Sequence, residues 1–178
     1  MRQAWLPACA SEPYDRARVD IRVGTGYDLH RFGEGRRLIL AGVQLDEERG
    51  LVGHSDADVV THAVIDAMLG AAGLGDIGTH FPPGDPRFAG ANSMELLRVT
   101  LALLSERGWR PVNIDTTVIA ERPRLAPHIL AMRASLAAVL GMDVESVSVK
   151  AKTSEGLGAL GAGEAIAVMA AALITRDS

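Results

Sequence analysis

The sequence predicts a small α/β or α+β sandwich, with a layer of strands covered by helices. Three observations predict it. Strand-like runs alternate along the chain with helical segments that each carry one apolar face. The 178 residues suit one domain, which at this size buries roughly two thirds of its unfolded surface. The core must be aliphatic, because 48% of residues are hydrophobic but only 4% are aromatic.

Residues 1–20 hold two prolines, mixed charge and no periodicity. They read as a flexible N-terminal extension ahead of a domain over 21–178. They lack the apolar stretch of a signal peptide, and Glu12, Asp15 and Asp20 argue against a transit peptide. Residues 21–30 and 38–45 read as two strands, with a turn at EERG before Leu51. Ser55 is the expected N-cap of a helix over 56–72, whose apolar face is Val59, Val60, Ala63, Val64, Ala67, Met68 and Ala71. Residues 73–90 are dense in Gly and Pro and read mostly as loop. Asn92 to Glu95 resembles a capping box for a helix ending near Arg107. Residues 112–121 alternate as a strand does, 128–140 read as a helix, and 147–153 as a strand. A glycine-rich loop over 154–164 leads to an apolar final strand over 165–174.

The net charge of −4 offers no basic excess for nucleic acid or acidic membranes. No apolar run reaches the roughly 18 residues of a membrane span. The single cysteine, Cys9, excludes an internal disulfide and a Cys-based zinc cluster, and fits a reducing, cytoplasmic setting. No GxGxxG opens an expected helix, since those at 73–78 and 156–161 lie in expected loops, and no GxxxxGK[ST] is present, so nucleotide phosphates need another kind of cradle.

Side chains two apart on a strand share a face, so Asp28 and His30 project together. On the expected helix Asp58, His62 and Asp66 lie four apart, on one polar stripe. The strand pair plus one helical histidine supplies Asp, His and His, a set zinc accepts while keeping a fourth position open. D-x-H is a weak signal alone, and polar stripes usually face water. The residues alone leave a metal site and a solvated polar rim both open. Asp66 suits either a hydrogen bond behind the metal ligands or plain exposure. His80 reads as a surface loop residue, His128 as helix-start packing or capping, and Met132 and Met142 as core filling.

Three segments together carry a resemblance: GYDLHRF, then GLVGHSDADVVTHAVIDAMLGAAGLGDIGTHFP, then VKAKTSEGLGALGAGEAI. In this order and spacing they resemble the 2-C-methyl-D-erythritol 2,4-cyclodiphosphate synthase family of non-mevalonate isoprenoid biosynthesis. The similarity runs over residues 21–174. It implies a single α+β domain, a mixed β-sheet covered by helices, assembling as a homotrimer with sites between subunits. It implies a phosphorus–oxygen lyase acting on 4-diphosphocytidyl-2-C-methyl-D-erythritol 2-phosphate, a cytidine diphosphate compound, with release of CMP.

By the same resemblance, Asp28, His30 and His62 are Zn²⁺ ligands, and Glu155 holds Mg²⁺ or Mn²⁺ with the substrate phosphates. His54 and Thr153 steady the transition state. Ser55 contacts the erythritol phosphate, and Leu29 sits among the substrate contacts beside Asp28. Asp76, Ile77 and Gly78 match the segment around the substrate hydroxyls. Phe81, Pro82, Pro83, Gly84 and Asp85 match a mobile loop over the erythritol unit. Ala120, Glu121, Arg122, Pro123, Arg124, Leu125 and Ala126 match the cytosine pocket, with Lys152 and Ser154 beside the phosphates.

Some positions depart from the family pattern. Pro83 stands where many members carry an acidic residue, leaving Asp85 as the carboxylate of that loop. Lys152 stands where some members have threonine, and Ala159 and Ala162 stand where some members place an aromatic and an arginine lining the trimer's central cavity. Two other functions compete at this stage. One is a zinc-dependent phosphoester hydrolase using an activated water. The other is a trimeric cytidine-binding protein without turnover.

Overall fold

The computed structural model describes residues 20–176. The expected extension therefore lies outside the described residues, except Asp20, which opens the first strand. Strand β1 (Asp20–Glu34) runs antiparallel to β7 (Ala165–Arg176), with Asp20 opposite Arg176 and Arg31 opposite Ala165. The far end of β1 pairs with the short β4 (Arg49–Leu51). Strand β5 (Arg110–Ile119) lies antiparallel on the other side of β7, and β6 (Val147–Lys152) parallel to β5. The sheet is therefore mixed, in the order β4-β1-β7-β5-β6. Its one parallel pair is joined through the helix α4 (Ile129–Leu140), as a parallel connection requires. The apolar run over 165–174 forms the central strand: Ile166, Val168, Ala172 and Ile174 are fully buried.

Helix α1 (Val59–Ala72) lies against β1 and β7 and under α3 (Ser93–Ser105). Every residue of the expected apolar face is buried, and so are Ile65 and Leu69 on other sides. A helix apolar nearly all round is one enclosed between layers. The close approach depends on Gly24 and Gly26 of β1. A Cβ at Gly26 would stand 2.0 Å from the Ala63 carbonyl oxygen, and one at Gly24 would stand 2.1 Å from that of Ala67. The absence of side chains there lets the helix backbone settle onto the strand.

Several local expectations change. The run 38–45 is a hairpin, β2 (Leu38–Leu40) and β3 (Val43–Leu45). Ala41 and Gly42 make the turn, both at positive φ, as two-residue hairpin turns demand. Two turn residues preserve the apolar alternation, so the break leaves no mark in the pattern. The end of EERG belongs to β4. The N-cap of α1 is Asp58, not Ser55. Asp58 accepts from Thr61 N and Oγ1 and also from the backbone N–H groups of Ala41 and Gly42. It is fully buried, tied to the hairpin, and shares no polar stripe with His62. Burial pushes its carboxyl up, opposed by the bonds from Thr61, Gly42 and Ala41.

The stretch 73–90 is not all loop, since it carries the short helix α2 (Ile77–His80) and a 3₁₀ turn at Pro86–Phe88. Asn92 does cap α3, accepting from Met94 N, but Glu95 pairs with Arg98 instead of closing a capping box. His128 stands at the cap of α4 without a side-chain cap bond. The glycine-rich run holds one short helix, α5 (Gly158–Gly161). Met132 is fully buried, and Met142 packs against the core.

Helices α1, α3 and α4 cover one face of the sheet. The other face carries Ile21, Val23, Tyr27, Leu29 and Met169, between 46% and 68% exposed. An apolar patch of this kind marks a contact surface more often than a free one.

Candidate functional site

The even-numbered residues of β1 face α1. Gly24 and Gly26 admit the helix, and the next two positions on that face are Asp28 and His30. One turn of α1 brings His62 opposite them. Asp28 Oδ2 lies 2.9 Å from His62 Nδ1 and 3.0 Å from His30 Nε2, and the two histidine nitrogens are 3.2 Å apart. The carboxylate and two imidazoles form the one group of three potential metal ligands found among the described residues.

These distances can be set against a metal. Tetrahedral zinc with bonds near 2.0–2.1 Å holds its ligand atoms roughly 3.3–3.4 Å apart. The three atoms need open by only a few tenths of an ångström. The ring of His30 is oriented for such a role: Nδ1 donates to the Val52 carbonyl at 2.8 Å, leaving Nε2 as the atom that faces Asp28 and a metal. Burial pushes the Asp28 carboxyl up, but hydrogen bonds from His30 and His62 outweigh it and hold Asp28 well below the usual carboxylate range. Burial lowers the affinity of His30 for a proton, and the hydrogen bond and charge of Asp28 raise it further than burial lowers it.

A cavity of about 240 Å³ opens over these residues. It is lined by Asp28, His30 and His62, by His54 and Ser55, by Ile77, Gly78, Phe81 and Pro83, and by Phe88 and Leu96. Many of the residues assigned by resemblance therefore meet here. Asp66 accepts from the backbone N–H of Ile77 at 2.7 Å, so it fixes the 76–78 segment instead of facing water or backing a ligand. Asp76 caps α2, accepting from Thr79 N and Oγ1, and those bonds hold its carboxyl low. His54 is exposed, with Nε2 3.1 Å from the Asp85 carbonyl oxygen. The Asp85 carboxylate is engaged by Arg87, which lowers its pKa, so it is not a free acceptor in this loop. Pro82 and Gly84 are exposed at the loop's tip. Leu29 points to the opposite face of the sheet, and its N–H donates to Asp28 Oδ1. His80 Nε2 donates to the Leu74 carbonyl at 2.8 Å.

The remaining assigned residues gather elsewhere. Ala120 N donates to the Lys152 carbonyl, joining the end of β5 to the end of β6. Glu121 Oε1 accepts from the backbone N–H groups of Ser154 and Gly156 at 2.8 and 3.2 Å. Thr153 Oγ1 donates to Glu155 Oε1 at 3.0 Å. Glu155 has φ of 51°, a conformation uncommon outside glycine, and Gly156 follows it at 75°. Glu121, Arg122 and Pro123 line a second, larger cavity of about 870 Å³ together with Phe32, Arg49 and Gly161 to Gly163. Arg124 is exposed and Leu125 buried, while Ala126 starts a 3₁₀ turn. The two cavities share no lining residue.

Sequence reasoning missed several contributors. Arg36 donates to the carbonyls of Leu51, Gly53 and Ser55 and so tethers the segment bearing His54 and Ser55. Asp56 and Ser93 stand behind His62. Phe88 makes an edge contact with Phe81 across the cavity wall, with centroids 5.4 Å apart. Only Phe88 left a signal, as a rare aromatic inside the Gly/Pro-rich loop.

Comparison with known proteins gives a consistent result. The YgbB family model matches residues 21–175. The 2-C-methyl-D-erythritol 2,4-cyclodiphosphate synthase of Dechloromonas aromatica (strain RCB) is 56% identical over 158 residues, covering 89% of this chain and 99% of that protein. Among solved structures, the bifunctional IspDF from Campylobacter jejuni aligns with a TM-score of 0.86 and 44% identity, over 89% of this chain and 43% of that longer one. The CDP complex of IspF from Plasmodium falciparum aligns with a TM-score of 0.77 and 34% identity, over 89% of this chain and 97% of that one.

Proposed function

The chain belongs to the YgbB family, and from that premise we infer that it is a 2-C-methyl-D-erythritol 2,4-cyclodiphosphate synthase. One observation carries the reading. The three residues that the resemblance assigns to a metal, from positions 28, 30 and 62, converge within hydrogen-bonding distance in a chain 56% identical to such a synthase. The phosphoester hydrolase finds no support among these relatives.

The reaction is an intramolecular phosphoryl transfer. An oxygen of the substrate's 2-phosphate attacks the β-phosphorus, the bond from that phosphorus to the α-phosphate bridging oxygen breaks, and CMP leaves. The nucleophile is part of the substrate, so the protein's work is to hold an in-line pose and neutralise charge. Asp28, His30 and His62 would hold Zn²⁺, which when bound supplies Lewis-acid polarisation of a phosphoryl oxygen. His54 and the Ser55 hydroxyl donate to phosphate oxygens from the same cavity. Ile77 and Gly78, fixed by Asp66, present backbone groups to the erythritol, and Phe81, Pro83 and Phe88 exclude water above it.

Glu155 would hold Mg²⁺ or Mn²⁺, an ion that usually takes one carboxylate and completes its shell with phosphate and water. Thr153 donates beside it. The segment over 120–126 takes the cytidine, and a CDP-bound structure of a relative supports a ligand of that kind. The proposed assembly is a homotrimer with each site between subunits. The separation of the two cavities and the open apolar sheet face support it. No helix among the described residues is long and apolar enough to cross a membrane. The cytoplasmic setting is part of this proposal.

The test is ³¹P NMR of the protein with Zn²⁺, Mg²⁺ and the cytidine diphosphate substrate. Two coupled diphosphate signals from a cyclic product, with CMP, are expected. Inorganic phosphate or a linear monophosphate would overturn the assignment.

A further inference from the structure

Behind His62 stand two polar groups, Ser93 and Asp56, with no part in the proposed function. His62 Nε2 is 2.9 Å from Ser93 Oγ and 3.0 Å from Ser55 Oγ. Ser93 Oγ makes a short hydrogen bond to Asp56 Oδ1, and Asp56 Oδ2 accepts from Ser93 N at 3.0 Å. Ser93 is fully buried and His62 nearly so.

We propose that Asp56 and Ser93 are positioning residues that fix the tautomer and ring orientation of His62 as a metal ligand. The inference rests on the reading of Asp28, His30 and His62 as one metal site.

The hydrogen bonding runs in one direction only. His62 Nδ1 faces Asp28 and His30. To bind a metal it must carry its lone pair there, so the ring proton sits on Nε2. Ser93 then accepts from Nε2–H and cannot donate to it. The Ser93 hydroxyl proton goes to Asp56, which is a pure acceptor when ionised. Asp56 is itself anchored, taking two backbone N–H groups, those of Ser93 and Asp58. The relay is therefore His62 to Ser93 to Asp56, each donating to the next.

Ser55 is the second beneficiary. Its Oγ accepts from Ala57 N at 3.2 Å and lies within reach of the same Nε2–H. With Nε2 protonated, the Ser55 hydroxyl has no call to donate to His62. Its proton can go to Ser93 Oγ, 3.5 Å away, or to an oxygen of whatever anion enters the cavity Ser55 lines. Without Ser93, Ser55 could donate to a bare Nε2 instead, and the ring would adopt the tautomer with its proton on Nδ1, where the metal must bind. Groups behind a ligating histidine commonly set its tautomer in this way.

The relay also explains a sequence feature. Asn92 already caps α3, so the serine at the first helical position is free for other work. Asp56 lies 37 residues away and reads as ordinary helix punctuation.

The test is Zn²⁺ affinity by chelator competition on wild type, S93A, S93T and D56N, with folding checked by circular dichroism. S93A and D56N are expected to bind zinc about 10–100-fold more weakly while remaining folded. S93T keeps the hydroxyl and is expected to restore affinity. Equal affinity in folded S93A and wild type would overturn the relay but leave the metal site standing. Failure of wild type itself to bind zinc would overturn the metal reading, and the relay with it. A ¹H–¹⁵N correlation of the zinc-loaded wild type decides the matter if the variants do not fold. His62 bound through Nδ1 and protonated at Nε2 is expected, and metal at Nε2 contradicts the proposal.

Discussion

The proposed site has two halves built by different means. The half around Asp28, His30 and His62 is made of side chains, set on a strand and a helix that touch backbone to backbone at Gly24 and Gly26. Each of the two histidines has a hydrogen-bond partner behind it, Val52 for His30 and Ser93 for His62. The half around Glu121 and residues 152–156 is made mostly of backbone turns at the ends of β5 and β6. One carboxylate, that of Glu121, gathers two backbone N–H groups there, and Thr153 and Glu155 are exposed. The contrast fits two tasks. A small divalent ion tolerates little error in ligand position, and the half proposed for it is set between strand and helix, with His62 buried and Asp28 and His30 half-buried. In the proposed reading a long, flexible nucleotide is met by adaptable turns, with a second surface closing over it.

This contrast can be broken at either half. The largest effect is expected from His62→Ala, which removes one of three ligands: zinc content and turnover should both be lost, as metal analysis and product formation would report. Retained stoichiometric zinc would mean that the side-chain half is not the metal centre. Glu155→Gln should separate the two halves, with turnover falling by about 10²-fold or more and zinc content unchanged. Loss of zinc in that variant would contradict the division. Met169→Lys places a charge on the open apolar face of the sheet. Light scattering should then show smaller particles that keep zinc but have lost turnover, whereas an unchanged mass with full activity would remove this face from the assembly. The smallest effect is expected from Glu121→Gln, which weakens a charge-assisted hydrogen bond worth about 1.5–3 kcal/mol. KM for the cytidine substrate should rise by roughly tenfold, with kcat less affected. A change in zinc affinity instead would link the halves within one chain.

The side-chain half was legible in the sequence to the extent that it follows local periodicity. Strand parity put Asp28 and His30 together, and the helix carrying His62 was clear from its apolar residues. Which cap starts that helix was not legible, because Ser55, Asp56 and Asp58 all have cap chemistry. The choice of Asp58 is made by the hairpin at Ala41 and Gly42, a contact across 16 residues and more. The same limit hid Ser93 and Arg36, whose meaning depends on which backbone they reach. Gly24 and Gly26 read as breaks in strand propensity until the helix they admit is in place. The nucleotide half was assigned by resemblance alone, since its backbone turns leave few marks that composition or period can detect.

The most direct test of a site divided between subunits is complementation of two inactive variants. His62→Ala and Glu155→Gln chains, co-expressed with different tags and purified as mixed assemblies, would each supply the half the other lacks. Recovery of cyclic diphosphate formation in the mixed assemblies, absent from either variant alone, is the predicted result. Mixed assemblies as inactive as the parents would show that both halves must come from one chain, and would contradict the account.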